Sequence, residues 1–229
     1  MNAYARYALF VVPSSAFYAA GAAWLGWDSV SGETVAHPSV PGVPVSVDAL
    51  TEKPRKYGLH GTIKAPFALA PGQTEAALRA ACRSFCADQP PVRLPGLKIT
   101  RLNRFVAAVP TAPSSELGTL AAAAVEALDP FRAPLTEAEI ARRRASRLTA
   151  AQDALLLRWG YPYVMDAFRF HLTLTGPHPQ AEALQNALTA HLAPTLPSPF
   201  DITDLALMGE DGAGRFHLLN RFTLAAHPR

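Results

Sequence analysis

The feature of this sequence that most constrains its fold is an internal repeat. The segments "KYGLHGTIKAPF" and "FRFHLTLTGP" each carry His-x-Thr among alternating apolar residues, which is typical of a β-strand. Each is followed by a segment with helical periodicity and then by two short apolar runs around a turn, at Asn103 and at Gly212. The interval between His60 and His171 nearly equals the interval between the two turns. The repeat therefore predicts two similar lobes.

The order of elements in the repeat predicts an α+β fold, in which each lobe packs helices on one face of a largely antiparallel sheet. The first repeat spans about residues 55–110 and the second about 165–227, with a helical connection over about 113–160. A strand and a helix over about 5–26 precede them. We expect the whole chain, 1–229, to form a single bilobed domain whose two antiparallel sheets face each other across a central cleft.

The apolar stretch near the N-terminus, "YALFVVPSSAFYAAGAAWLGW", is hydrophobic enough to imitate a signal peptide or a membrane span. Pro13 and the two serines after it interrupt the stretch, so a strand over about 6–12 and a helix over about 15–25 are the better interpretation. We therefore expect no membrane association. The two cysteines, Cys82 and Cys86, fit a reducing, cytoplasmic location.

The same two cysteines are candidates for a metal site, because they lie four residues apart in a predicted helix. No second Cys or His pair follows at ligand spacing, so we expect Cys82 and Cys86 to be buried thiols, and no metal or other cofactor. The formal net charge of +3 suits an anionic ligand, and no long basic run calls for nucleic acid. The composition thus favours a small anionic substrate.

Three connecting segments have their own signals. Residues 29–53 are rich in Gly, Pro and Ser and predict a long ordered loop, which we expect to cover the cleft. Capping-box patterns at Thr136 and at Thr149 predict two helix starts. The arginine-rich run that follows the first of them puts Arg143 and Arg147 on one helix face. That face either clamps a phosphate or is simply solvated, and the solvated face is the favoured interpretation.

The two His-x-Thr strands present the same ordered face, with a histidine, a threonine two residues later and a basic side chain nearby. These residues are His60, Thr62 and Lys64 in the first strand, and Arg169, His171 and Thr173 in the second. An imidazole has an unperturbed pKa of about 6.5 and serves as general base or general acid near neutral pH. Threonine hydroxyls can donate to non-bridging phosphate oxygens. If the faces meet, the set predicts phosphodiester cleavage without a metal.

Three tyrosines close to the strands are further candidates for substrate binding. Tyr57 precedes the first histidine by three residues, and Tyr161 and Tyr163 lie in the run-in to the second. They either stack on a base or sugar and bond a phosphate, or they complete the core. Lys64 and Arg169 are candidates to compensate the charge of an anionic substrate.

Alternatives to an enzyme remain open from the residues alone. Either histidine could be a half-buried structural residue, bonded to the backbone or to its threonine. The same architecture could bind an RNA end or a phosphorylated metabolite without turnover. Metal-dependent hydrolysis through the histidines is a third possibility, although Asp166 is a carboxylate near only one of them.

The two signatures, "HGTI" and "HLTL", carry a family resemblance. The chain resembles the 2H phosphoesterase superfamily, which has two His-x-Thr/Ser signatures, each followed by a hydrophobic residue. The blocks "RYALFVVP", "AAWLGWD", "KYGLHGTIKAPF" and "WGYPYVMDAFRFHLTLTGP" are similar to those of a bacterial branch associated with phosphonate metabolism. Leu59 and Gly61 depart from the aromatic and the alanine expected around the first histidine.

The resemblance implies a bilobed fold with a pseudo-twofold axis and a cleft holding both signatures. It implies a metal-independent hydrolase acting on a cyclic phosphodiester, such as a 2′,3′-cyclic phosphate, an RNA end or a cyclic sugar phosphate. His60 and His171 would be the catalytic pair, and Thr62 and Thr173 the phosphate-binding residues. No obligate protein partner is expected.

Overall fold

The computed structural model describes residues 4–225. Its strands are β1 (Arg6–Val11), β2 (Trp27–Asp28), β3 (Glu33–Thr34), β4 (Gly61–Phe67), β5 (Val92–Leu94), β6 (Leu97–Leu102), β7 (Phe105–Pro110), β8 (Leu172–Thr173), β9 (Phe200–Ile202), β10 (Asp204–Glu210) and β11 (Phe216–Thr223). Its α-helices are α1 (Ala16–Leu25), α2 (Val47–Arg55), α3 (Glu75–Ala87), α4 (Ser115–Ala127), α5 (Glu137–Arg144), α6 (Ala150–Trp159) and α7 (Ala181–Leu192). The last two residues of the predicted second repeat lie outside the described range.

Seven strands form one antiparallel sheet in the order β11-β10-β1-β4-β8-β7-β6. The α+β class with antiparallel strands is therefore confirmed. The predicted pair of separate sheets is corrected: the first four strands and the last three are joined where β4 meets β8. That junction rests on a single pair of residues, Gly61 with Leu172. The two halves of the repeat thus meet edge to edge at the signature strands.

Helix α3 packs on one face of the sheet, which we call the helical face, and the signature histidines lie on the opposite face. The hydroxyl of Tyr7 on β1 donates to Glu75 on α3 at 2.9 Å, which fixes α3 on the Tyr7 face. Alternation along β1 sends Arg6, Ala8 and Phe10 to the other face. On that other face Phe10 pairs with Thr62 of β4. The first signature therefore lies on the face away from α3.

The opening strand and helix confirm the interpretation of the N-terminal stretch. Strand β1 is almost entirely buried, and α1 begins after Pro13 and the serines and ends at Gly26, whose φ of 78° is left-handed. A glycine suits this C-terminal position because it has no Cβ to strain the left-handed conformation. Among residues 4–225, no helix is long and apolar enough to cross a membrane.

The segment 29–53 is not a continuous loop, and this prediction was wrong in its second half. It contains β3 and the start of α2, whose N-cap Ser46 accepts a hydrogen bond from Ala49. Pro54 lies inside α2 and has no N–H to donate to the carbonyl of Leu50. That carbonyl instead accepts a 2.7 Å bond from Gly176, just after the second signature. Pro54 made this helix hard to predict, and it also leaves the Leu50 carbonyl free to accept the bond that connects α2 to the second lobe.

The connection between the repeats is helical, as predicted. Thr136 and Thr149 both form complete capping boxes, at the starts of α5 and α6. Helix α5 ends at Arg144, and Arg147 adopts a left-handed φ of 53° beyond it. The prediction that Arg143 and Arg147 share a helix face was therefore wrong, because the helix stops one turn too early.

Candidate active site

The junction of the two half-sheets brings the four signature side chains together. Antiparallel alternation around the Gly61–Leu172 pair sets His60 beside Thr173, and Thr62 beside His171, on one face of the sheet. All four side chains are partly exposed. We call them the signature quartet.

The two departures from the family pattern are packing solutions at this junction. A Cβ built on Gly61 would lie 2.3 Å from the ring of Phe170, so only glycine lets that ring cross the strand. Leu59 is fully buried and fills the space over Gly21 of α1. Both contacts lie on the face opposite the quartet, because these residues alternate with His60.

The two histidines are held in the same way. Nδ1 of His60 lies 3.0 Å from the carbonyl of Gly58, and Nδ1 of His171 lies 2.8 Å from the carbonyl of Arg169. In each case the partner precedes the histidine by two residues. A carbonyl only accepts, so both Nδ1 atoms carry the proton and both Nε2 atoms are left to act on a substrate.

His60 lies between two aromatic rings. Phe10 is 4.0 Å from it, centroid to centroid, and Tyr57 stacks on it at 5.4 Å with an interplanar angle of 24°. Burial lowers the pKa of His60 to about 4, the Gly58 carbonyl opposes the shift, and the charge of His171 adds to it. His60 is therefore an uncharged imidazole at neutral pH.

His171 has more open surroundings. Its ring is partly exposed, and Phe105 lies 5.8 Å away with an interplanar angle of 54°. Phe105 shares the quartet face, because Ala107, two residues later on β7, pairs with Thr173. The equivalent positions of the two lobes thus differ in how tightly they enclose the imidazole.

Lys64 is not on the quartet face, contrary to the sequence analysis. Thr62 pairs with Phe10, but Lys64 pairs with Leu9, because β4 is irregular between them. The extra residue turns Lys64 to the helical face. There its ammonium donates to the carbonyl of Val125 at 3.0 Å, and burial lowers its pKa to about 8.

The second signature strand is shorter than the alternation predicted, since β8 contains only two residues. Arg169 is exposed, and its guanidinium donates to the backbone carbonyls of Asp166 and Phe168. Thr175 is buried, and its hydroxyl accepts a bond from the Val106 amide at 3.0 Å. The alternation in the sequence predicted Thr175 on the histidine face, but its hydroxyl is instead engaged in this buried hydrogen bond.

The three candidate tyrosines divide between core and surface. Tyr57 touches the quartet directly and also stacks on Phe216 at 5.0 Å. Tyr161 is half-buried, with the Arg143 guanidinium 4.9 Å from its ring. Tyr163 packs edge-on against Tyr161 and is 41% exposed.

The sequence analysis missed Arg6 and Phe10. Both lie on the quartet face of β1, and Arg6 donates through Nε and Nη2 to the two carboxylate oxygens of the buried Glu210. Their alternation is visible in the sequence. Only the pairing of β1 with β4 shows that this face is the one carrying Thr62.

The described residues contain no group of three or more His, Cys, Asp or Glu side chains that could hold a metal ion. Cys82 and Cys86 are buried in α3, as predicted, and burial raises the pKa of both thiols to about 12. Their position on the helical face separates them from the quartet.

Comparisons with known proteins identify the family. Residues 62–217 match the model described as "Protein of unknown function (DUF1045)". A ribose 1,5-bisphosphate phosphokinase PhnN of Janthinobacterium sp. (strain Marseille) is 39% identical over 218 residues, 91% of this chain and 48% of its own length. Its namesake in Laribacter hongkongensis (strain HLHK9) is 37% identical over 214 residues, 91% of this chain and 49% of its own length.

The chain thus spans about half the length of the curated relatives it matches. Among solved structures, one described as a phosphoesterase is similar over 97% of this chain and 99% of its own, with 17% identity and a TM-score of 0.45. The family match covers most of the chain and includes the second signature in full. The chain therefore belongs to the DUF1045 family.

Proposed function

We propose that this chain is a 2H-type phosphoesterase that hydrolyses a cyclic phosphodiester, with His60 and His171 as its acid–base pair. The observation that supports this most is the quartet itself. Two imidazoles, each with Nδ1 tied to a backbone carbonyl, lie on one face beside two threonine hydroxyls. An in-line displacement at phosphorus needs a base on one side and an acid on the other.

The different surroundings of the histidines suggest their roles. His60, held neutral by burial, accepts a proton from water through Nε2 as the water oxygen bonds to phosphorus. His171, as the imidazolium, donates its Nε2 proton to the ring oxygen whose bond to phosphorus breaks. Thr62 and Thr173 donate to the non-bridging oxygens, where charge develops. The product is a phosphomonoester with a free hydroxyl.

The substrate we propose is a ribose phosphate that contains the cyclic phosphodiester. The relatives' name, ribose 1,5-bisphosphate phosphokinase, supports a phosphorylated ribose. This chain matches only half of each relative and contains no P-loop motif, so we assign it a hydrolytic step. Opening a cyclic phosphate on ribose 5-phosphate would yield a ribose bisphosphate, the class of compound that such a kinase consumes.

Phosphorus NMR on purified protein in EDTA tests the proposal. The panel holds nucleoside 2′,3′-cyclic phosphates and cyclic phosphates of ribose and of ribose 5-phosphate. We expect wild type to convert at least one member to its monoester, and His60→Ala and His171→Ala each to lose at least about a hundredfold in rate. His178→Gln, a histidine outside the quartet, is the matched control and should keep its rate.

Two results would contradict the proposal. If the protein binds a panel member without converting it, and His→Gln at either signature costs little affinity, it is a binding module. If conversion occurs but stops in EDTA, the metal-free chemistry is wrong.

A further inference from the structure

A second group of polar side chains lies near the outer half of β4, where Arg6 and Tyr161 line one cavity. We call it the distal cluster; it consists of Arg6, Tyr57, Arg143 and Tyr161. Arg6 comes two residues before Ala8 on β1, so the alternation of the strand puts its side chain on the same face as Phe10. Its Nε and Nη2 bond Glu210.

Tyr57 connects this cluster to the quartet. Its ring stacks on His60. Its hydroxyl lies close enough to Arg6 to help the Glu210 hydrogen bonds raise the pKa of the guanidinium. One side chain therefore stacks on the His60 imidazole and also helps to raise the pKa of the Arg6 guanidinium.

Tyr161 and Arg143 complete the cluster from the helical connection. Tyr161 and Arg6 line the same cavity beside the outer half of β4. Burial is the main reason that the pKa of Tyr161 is raised, while Arg143 lowers it and Tyr57 raises it. Tyr161 thus lies in one cavity with Arg6, and its ring contacts the Arg143 guanidinium.

The distal cluster keeps one positive charge, that of Arg143, beside the ring of Tyr161. Arg143 stacks on Tyr161 at 4.9 Å and takes part in no ion pair among residues 4–225. Glu210 is committed to Arg6, and Glu139, which also lines the cavity, to the capping box of Thr136. Lys64 and Arg132 also line the cavity, but both are paired with Asp129, at 4.0 Å and 2.9 Å, so they add no free charge to it.

We propose that the distal cluster is a second anion-binding subsite, which holds a phosphomonoester on the same substrate whose cyclic phosphodiester lies at the quartet. Guanidinium and hydroxyl groups are the donors that a phosphate dianion prefers. The substrate class is then a cyclic phosphodiester carrying a separate terminal phosphate. This inference rests on the proposed function and narrows it, because nucleosides with one cyclic phosphate lack the second anion.

Binding of ribose 5-phosphate to the full chain tests the subsite without requiring turnover. Isothermal titration compares ribose 5-phosphate with ribose and with inorganic phosphate. We expect Tyr161→Phe and Arg143→Gln each to weaken ribose 5-phosphate binding about tenfold, since a hydrogen bond to a charged group contributes about 1.5 kcal/mol. Arg142→Gln, the neighbouring exposed arginine on α5, is the matched control and should bind normally.

Arg6→Gln alone would leave the buried Glu210 carboxylate without its ion-pair partner and destabilise the fold, so it does not test binding cleanly. The paired variant Arg6→Gln with Glu210→Gln removes both charges together. We expect it to weaken ribose 5-phosphate binding at least as much as Arg143→Gln does. Circular dichroism confirms that each variant is folded.

The outcomes separate this inference from the proposed function. If no cyclic phosphate is hydrolysed but ribose 5-phosphate binding depends on Tyr161 and Arg143, the subsite stands and the hydrolytic function fails. If ribose 5-phosphate binds no better than ribose, or binds equally to wild type and both variants, the subsite is wrong whatever the quartet does.

Discussion

Acidification should destabilise the protein through His60. The imidazole has a pKa of about 4 in the folded protein and about 6.5 when unfolded, because the aromatic rings exclude water from it. Between these values the unfolded chain binds the proton more tightly, so stability is lost as pH falls from about 6.5 to about 4. At about 1.4 kcal/mol per pKa unit, the full effect is about 3 kcal/mol.

The assay is urea unfolding of wild type and His60→Gln between pH 8 and pH 4. Glutamine is close to neutral imidazole in size and does not titrate in this range, so the variant lacks this proton-linked loss. We expect the stability difference between the two proteins to shrink or reverse as pH falls. Both proteins share the titration of every other group, which cancels in the difference.

Proton NMR of the histidine Cε1–H resonances gives the second readout. His60 should keep its neutral chemical shift down to about pH 5, and Tyr57→Leu should raise its pKa by admitting water. A His60 resonance that titrates near pH 6.5, together with parallel stability curves for wild type and His60→Gln, would refute the reasoning.

Three further substitutions give separable results. Gly61→Ala should lower the free energy of unfolding in urea by about 2 kcal/mol, because the new Cβ meets the Phe170 ring. Gly118→Ala on α4, where nothing lies near the new Cβ, should raise it by up to about 1 kcal/mol. Equal effects of the two substitutions would refute the packing argument. Thr173→Val should lower kcat at least about tenfold with little change in fold, and an unchanged kcat would remove Thr173 from the phosphate site. Lys64→Met should leave KM within about twofold, since Lys64 bonds Val125 on the helical face; a larger rise would return it to the substrate site.

The sequence predicted what depends on local pattern. Both capping boxes, the opening strand and helix, and the turn at Asn103 all follow from neighbouring residues, and all lie where expected. The left-handed φ of 54° at Asn103 is one that asparagine adopts more readily than most residues. These elements required no knowledge of which strand pairs with which.

What the sequence did not predict depends on partners distant in the chain. The irregularity that turns Lys64 away from Thr62 exists because β4 must match β1, whose residues lie more than fifty positions earlier. In the sequence Arg6 looks like any surface cation, and only the fold shows that Glu210 lies beside it. Likewise, the helix over Val47–Arg55 is concealed by prolines and is secured by its bond to Gly176.

Duplication alone would make the two histidines equivalent, whereas acid–base hydrolysis needs one imidazole neutral while the other is protonated. Both imidazoles share the carbonyl bond at Nδ1, so the repeat itself fixes their tautomer. The difference comes from residues outside the signatures. Phe10 and Tyr57 enclose His60, whereas His171 has Phe105 at a larger distance on a more open face. If the proposed function holds, specialisation of the two copies lies in their aromatic surroundings.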